Sequence, residues 1–330
     1  MTTQEERSVA NLASLERLMS IGEVVAFVGS GLSSGVYPEW KELVRRLCEA
    51  CGLKIERDAL DGAPAQLMHL CDQAKTMDPE AYYRTLGEIF DRKTTTRKAY
   101  EYLVRAGFRN YVTTNFDCLL ADEIGRYAES RGVKEESVFA YPGCEVRFLR
   151  REKTASYLHG YISPGCIPGC STAIVLSQED FDLGYGAESK LPILLNVLFT
   201  EHPICFIGCQ LQELPLQRVF REAQGIRARL RGEYKHPVPG MFILLEDWGI
   251  PADGCKQKTF TRLGGVVEAT AIQVRDGNDE TAYYEDLGIK VIRYPRFPDH
   301  KGLDDVLRKL ARISEPSIYK PRDEELPYEG

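Results

Sequence analysis

No stretch of this sequence approaches the roughly 18 consecutive apolar residues of a membrane-spanning helix, so a span of that kind is excluded. Positive charge is in deficit: 42 Lys and Arg stand against 49 Asp and Glu, a formal charge of −7. That balance argues against a surface built to wrap nucleic acid. The opening residues, Met1 to Arg7, lack the basic-then-apolar order of a secretory signal. A cytoplasmic location is therefore expected, and the ten cysteines read as reduced thiols, not disulfides. Many have apolar neighbours, where cysteine acts as a small hydrophobe. No internal repeat is evident, and no Gly-Lys-Ser/Thr closes a glycine-rich turn, which excludes a Walker A loop. What is present is ordinary: 330 residues, 43% apolar and 28% charged, the composition of a folded globular chain. The length accommodates two domains of roughly 150 residues or one large α/β domain.

Apolar spacing predicts a helix over 8–22, with Val9, Leu12, Leu15, Leu18 and Met19 on one face. Val24 to Val28 is then a continuous apolar run, the pattern of a strand buried on both faces of a parallel sheet. It passes directly into Gly29, Ser30, Gly31, Leu32, Ser33, Ser34 and Gly35. A helix over 40–51 follows, with Trp40, Leu43, Val44, Leu47, Cys48 and Cys51 in one stripe and Gly52 as its C′ residue. Residues 54–105 read as helical and as an insertion. A second strand is predicted over 110–114, then a helix from after Asp117, a good N-cap, to about Ser130. Further strands are predicted at 155–158, 173–176, 203–207, 241–245 and 290–294, and helices at 191–199, 216–231 and 303–313. The segment 321–330 carries Asp323, Glu324, Glu325 and Glu329 and reads as a loosely held acidic tail. Alternating helices and uniformly apolar strands indicate an α/β chain with a parallel sheet.

Four strand ends carry polar chemistry. After the first strand, Gly29 and Gly31 let a backbone come close to a pyrophosphate, whose oxygens free N–H groups can bind. The turn is not a complete G-x-G-x-x-G, because Ser34 stands where the third glycine would fall; a plain strand-to-helix turn is the other reading. After the second strand come Thr114, Asn115, Phe116 and Asp117, at the edge where open α/β sheets place ligands. Plain helix capping would also explain Asn115 and Asp117. The third is Tyr157-Leu158-His159-Gly160. An imidazole at a strand end, with an ordinary pKa near 6.5, suits general base work, although a lone histidine is commonly structural. His69, His202, His236 and His300 compete poorly, lying in the helical segment, before a proline, or in polar loops. The fourth is Gly208-Cys209-Gln210-Leu211, a second backbone surface for a dinucleotide.

In this order, with Pro38-Glu39-Trp40 downstream of the glycine turn and Ile174 to Phe181 after the histidine, these motifs resemble the sirtuin-like family. The resemblance spans roughly residues 20–310 and is nearer to that family's bacterial antiphage-defence NAD hydrolases than to its protein deacylases. It implies a Rossmann-like parallel sheet with helices on both faces and a helical insertion at 54–105, the whole chain 1–330 forming one such domain. It implies an NAD glycohydrolase that releases nicotinamide and ADP-ribose from NAD. Asn115 and His159 would be catalytic, Asn115 holding the ribose or the attacking water and His159 accepting a proton. Gly29, Ser30, Gly31, Leu32, Ser33, Thr114, Asp117, Gly208 and Gln210 would contact the dinucleotide, with the pyrophosphate on the N–H groups of residues 29–33. Asp117 would also cap the following helix and orient the loop.

The chain departs from the family at several points. Deacylases hold a structural zinc with two Cys-x-x-Cys pairs. Here the one such pair, Cys48 and Cys51, falls on an apolar helix stripe; Cys166 and Cys170 flank a Pro-Gly turn, and Cys205 and Cys209 straddle a strand end. No metal is therefore expected. Relatives in the defence branch carry Gly-Tyr-Ser-Leu and then Asp where this chain has Gly208 to Leu211 and Glu213. An unrestrained NAD hydrolase would kill its own cell, and no sensor domain or helix-turn-helix is legible. Control by homo-oligomerisation and by a partner protein is expected, the resemblance implying a HerA-type ATPase or a short Argonaute. Arg218, Arg221, Arg227, Arg229, Arg231 and Lys235 against Glu222 and Glu233 give 6 − 2 = +4 locally. That segment is either a solvated helix face or a contact for a partner or nucleic acid. A protein deacylase and a catalytically silent NAD- or ADP-ribose-binding module are the competing functions.

Overall fold

The computed structural model describes residues 4–91, 98–132, 138–163, 165, 173–186, 188–209, 211, 214–235, 238–247, 280–295 and 301–314. Gln210, Glu213, Cys166, Cys170, His236, His300 and the segment 321–330 lie outside them. The chain opens with α1 (Gln4–Ser20), β1 (Val25–Val28), a 3-10 turn (Ser30–Ser33) and α2 (Trp40–Ala50). A second 3-10 turn (Arg57–Asp61) leads to α3 (Pro64–Met77), α4 (Pro79–Phe90) and α5 (Lys98–Arg105), then β2 (Asn110–Thr113) and α6 (Leu119–Ser130). There follow β3 (Val138–Ala140), β4 (Ala155–Tyr157), α7 (Gln178–Gly184), α8 (Lys190–Glu201), β5 (Ile204–Ile207) and α9 (Leu214–Gly232). The last elements are β6 (Met241–Asp247), α10 (Glu280–Asp286), β7 (Lys290–Pro295) and α11 (Lys301–Ser314).

The strands form one parallel sheet in the order β3-β4-β2-β1-β5-β6-β7. Without the edge strand β3, this is the Rossmann order, in which the chain starts at the centre, winds one way, then returns to wind the other. Both faces are covered, which is why the strands read as unbroken apolar runs. Along β1, Val25 and Phe27 pack into a core shared with α8, α9 and α10. Ala26 and Val28 face the opposite core, built with α1 to α6 and α11. Alternate side chains of one strand thus feed two separate cores. Among the described residues no helix is long and apolar enough to cross a membrane.

Three expectations need correction. Val9 is exposed; the inward stripe of α1 is Ser8, Leu12, Leu15 and Met19, with the Ser8 hydroxyl accepting the Arg293 N–H at 2.8 Å. No strand forms over 173–176. Val175 does donate to the His159 carbonyl at 3.0 Å, but the next amides, of Leu176 and Ser177, go to the Asp180 carboxylate, which leaves no ladder to continue. Third, Arg227 is not part of an exposed basic face. It is buried, donating to the carbonyls of Phe199 at 2.9 Å and of Pro239. The edge strand β3 and the short α7 and α10 were not legible, being too brief to show a period.

Candidate active site

The C-terminal ends of β1, β2, β4 and β5 open on one cavity of about 250 Å³. It lies where the winding direction of the sheet reverses, the usual ligand position in open α/β sheets. Gly29, Ser30, Gly31, Ser33, Thr114, Asn115, Asp117, His159 and Gly208 all line it. Residues far apart in sequence meet here because β2 and β5 flank β1 and β4 follows β2.

The glycines are needed for backbone contact. A Cβ on Gly29 would stand 2.3 Å from the Gly208 carbonyl oxygen, and one on Gly208, at φ +60°, would stand 2.7 Å from the Leu32 nitrogen. The two strand ends therefore close on each other. That closure alters the expected phosphate cradle: the N–H groups of Gly29, Gly31 and Leu32 donate to the carbonyls of Ile207, Gly208 and Gly29, at 2.9, 3.0 and 3.2 Å. The Leu32 side chain lies in the core and does not line the cavity. Of the expected turn contacts, Ser30 stands exposed at the cavity.

Behind this turn the Ser33 hydroxyl joins three neighbours. It donates to Asp117 Oδ2 at 2.7 Å, so its oxygen accepts from Asn115 Nδ2 at 3.2 Å and from the Tyr100 hydroxyl at 2.6 Å. A hydroxyl has one hydrogen and two lone pairs, and all are used. Asn115 Nδ2 also donates to the Gly29 carbonyl at 3.2 Å. A carbonyl can only accept, so the amide orientation is set. Asn115 Oδ1 is left buried without a partner among the described residues. An unpaired buried acceptor in a cavity wall is costly and suits a hydroxyl or water brought by a ligand. Asp117 Oδ1 accepts the Leu119 N–H at 3.1 Å, at the start of α6, while burial pushes its carboxyl up to about 6.

His159 is buried at the end of β4. Its Nε2 lies 2.9 Å from the Tyr185 hydroxyl, and its ring meets the edge of Phe181 at 5.0 Å and 78°. Burial pushes its pKa down to about 3. The imidazole is therefore neutral at physiological pH, with a lone pair available. Its proton affinity is lower than the ordinary histidine value.

The other wall is apolar and was not foreseen. Trp40, Leu67, Met68, Phe90, Phe116, Val175 and Phe181 supply it, several from the helical segment between α2 and β2. Their spacing reads as ordinary core, and no sequence signal separates a cavity wall from a core face. Tyr100 was missed for the same reason. Cys48, Cys51 and Cys71 are free thiols inside the core, and burial pushes the Cys48 thiol up to about 11. Among the described residues no group of His, Cys, Asp and Glu is arranged to hold a metal ion. His69 is exposed, beside Gln73 at 3.2 Å, and His202 lies away from the cavity lining.

Residues 109–251 match the family model described as SIR2-like domain. This stretch is less than half of the chain and takes in Asn115, Asp117, His159 and Gly208, with the glycine turn at residues 29–33 outside it. No curated protein matches the chain. A solved structure described as "Structural Basis for the Mechanism and Regulation of Sir2 Enzymes" is similar over 92% of this chain and 97% of its own, at 10% identity and a TM-score of 0.37, a likeness too distant to carry any argument.

Proposed function

We propose that this chain hydrolyses NAD to nicotinamide and ADP-ribose, and that it is the toxic effector of a bacterial antiviral defence system. The observation that carries the reading is the pairing, in one cavity at the switch point of the sheet, of an unsatisfied Asn115 Oδ1 with a neutral His159. The SIR2-like match across the stretch that holds both residues supports it. In the proposed step the bond from ribose C1′ to the pyridinium nitrogen breaks, its electron pair leaving with neutral nicotinamide. A water oxygen bonds to C1′ and its proton passes to His159. Asn115 Oδ1 accepts from that water or from a ribose hydroxyl, which orients it for attack. The phosphate-bearing half of NAD lies along the rim at Ser30, and the apolar wall excludes bulk water from the reacting end. Control is through self-assembly and a partner, for which a HerA-type ATPase is preferred to a short Argonaute.

Nicotinamide release from NAD, followed by chromatography across a protein concentration series, tests this. His159→Ala and Asn115→Ala are each expected to lose at least about 10²-fold of the activity, the usual share of a positioned acid, base or water-holding group. Full activity in either variant overturns the assignment. A steep rise of specific activity with concentration is the expected mark of assembly. Release that requires an acyl-lysine peptide would favour a deacylase, and tight NAD binding without turnover a binding module.

A further inference from the structure

The contact between His159 and Tyr185 has a consequence for which ring nitrogen does the chemistry. Nε2 is committed to the Tyr185 hydroxyl at 2.9 Å. That leaves Nδ1 as the ring nitrogen for a ligand, and the ring lines the cavity. If His159 is to take a proton from a ligand, Nδ1 must keep its lone pair, so the ring hydrogen must sit on Nε2. A neutral imidazole carries one hydrogen, and its location is set by what the other nitrogen meets. We propose that Tyr185 is a positioning residue: its phenol oxygen accepts the Nε2–H, which fixes the tautomer that presents Nδ1 to the cavity as the base. A phenol oxygen can accept while its own hydrogen is donated elsewhere. The choice of tautomer and its catalytic consequence both rest on the hydrolase reading above, whereas the spectra below read the tautomer without reference to turnover.

Three further observations fit a part built to hold a ring. Phe181 and Tyr185 are stacked at 5.7 Å and 22°, and both meet the imidazole edge-on, at 78° and 72°, which restrains it from flipping to exchange its nitrogens. Both sit on α7 or its C-cap, and α7 is closed at its start by a reciprocal capping box between Ser177 and Asp180. Asp180 Oδ1 also receives Lys75 Nζ of α3 at 2.8 Å. The residue that orients the base is therefore tied to the helices that form the apolar wall of the cavity.

The test uses the full chain labelled with ¹⁵N-histidine. Five histidines make the spectrum tractable, and His159→Ala identifies the resonances of the ring. The expected result is a protonated Nε2 and an unprotonated Nδ1 in the unaltered protein, with a mixture of tautomers in Tyr185→Phe. In nicotinamide release, Tyr185→Phe should lower kcat about tenfold, the worth of one neutral hydrogen bond, with KM unchanged. A protonated Nδ1 in the unaltered protein overturns the proposal, and no variant is needed to see it. A Tyr185→Phe spectrum identical to that of the unaltered protein overturns it as well. If the chain releases no nicotinamide under any condition, the hydrolase reading fails, while the spectra still decide whether Tyr185 sets the tautomer.

Discussion

Asp117 and His159 stand in the same cavity wall and respond to pH in opposite senses. Burial raises the Asp117 carboxyl to about 6 from an ordinary 3.8, so the folded state holds its proton more tightly than the unfolded chain does. The stability it contributes is complete below about 4 and is lost as pH rises through about 6. His159 is displaced the other way, from 6.5 to about 3, so its contribution is present above about 6.5 and is lost as pH falls toward 3. Urea unfolding of Asp117→Asn is expected to remove the first dependence: between pH 4 and 7 the unaltered protein should lose up to about 3 kcal/mol that the variant does not lose. Equal pH dependence in the two proteins would show that Asp117 is not titrating in this range. For catalysis, the acid limb of kcat/KM should follow Asp117, not an ionisation of His159 near its ordinary value. Asp117→Asn should remove that limb.

At the level of elements, the ends of β1 and β5 meet in close backbone contact at the site. Gly29→Ala puts a methyl group against the backbone of Gly208 and Cys209, and neither strand can retreat without breaking its register with the other. A loss of about 2 kcal/mol or more is expected in thermal or urea unfolding, from steric strain at a position with no room to adjust. Gly125→Ala, inside α6 with open space around the new Cβ, is the contrast. It should stabilise by about 0.5–1 kcal/mol through helix propensity alone. The join between α7 and α3 is weaker. Asp180→Ala removes both the capping box and the nearer of the two carboxylates beside Lys75, and about 1–2 kcal/mol is expected. If Tyr185 acts as proposed, the same change should lower kcat more than it raises KM.

For the whole molecule, the charge distribution sets what the surface can attract. With Arg227 buried, the exposed cations between 218 and 235 are Arg218, Arg221, Arg229, Arg231 and Lys235, and Arg218 is paired with Glu222 at 3.3 Å. On a chain of formal charge −7, duplex DNA should bind no more tightly than the roughly 10⁻⁴–10⁻⁶ M typical of non-specific contacts. Fluorescence anisotropy at two salt concentrations checks this; nanomolar binding with a steep salt slope would make α9 a nucleic-acid face. Arg227 has a different consequence. Arg227→Ala leaves the carbonyls of Phe199 and Pro239 without their donor between α8, α9 and the start of β6. A loss of about 2–4 kcal/mol is expected, whereas Arg229→Ala should change stability by less than about 0.5 kcal/mol.

The sequence by itself determined six of the seven strands and the ligand edge of the sheet. Runs such as Val24 to Val28 and Pro203 to Ile207 have no polar alternation, the pattern of short strands covered on both faces, and glycine or polar residues at their ends mark where the backbone turns out of the layer. Asn115, His159, Asp117 and Gly208 were therefore legible as cavity residues before any neighbour was known. Tertiary structure alone decided what those residues can do. The Asn115 amide is oriented by Gly29 and Ser33, and the Ser33 hydroxyl by Asp117 and Tyr100, across spacings that no local pattern encodes. The glycine turn spends its amides on backbone carbonyls because β5 ends directly beside it. Tyr185 reaches His159 from a helix too short to announce itself. Periodicity reports which face of an element is apolar; partner, tautomer and proton affinity depend on burial and on the group brought opposite, which exist only once the chain has folded.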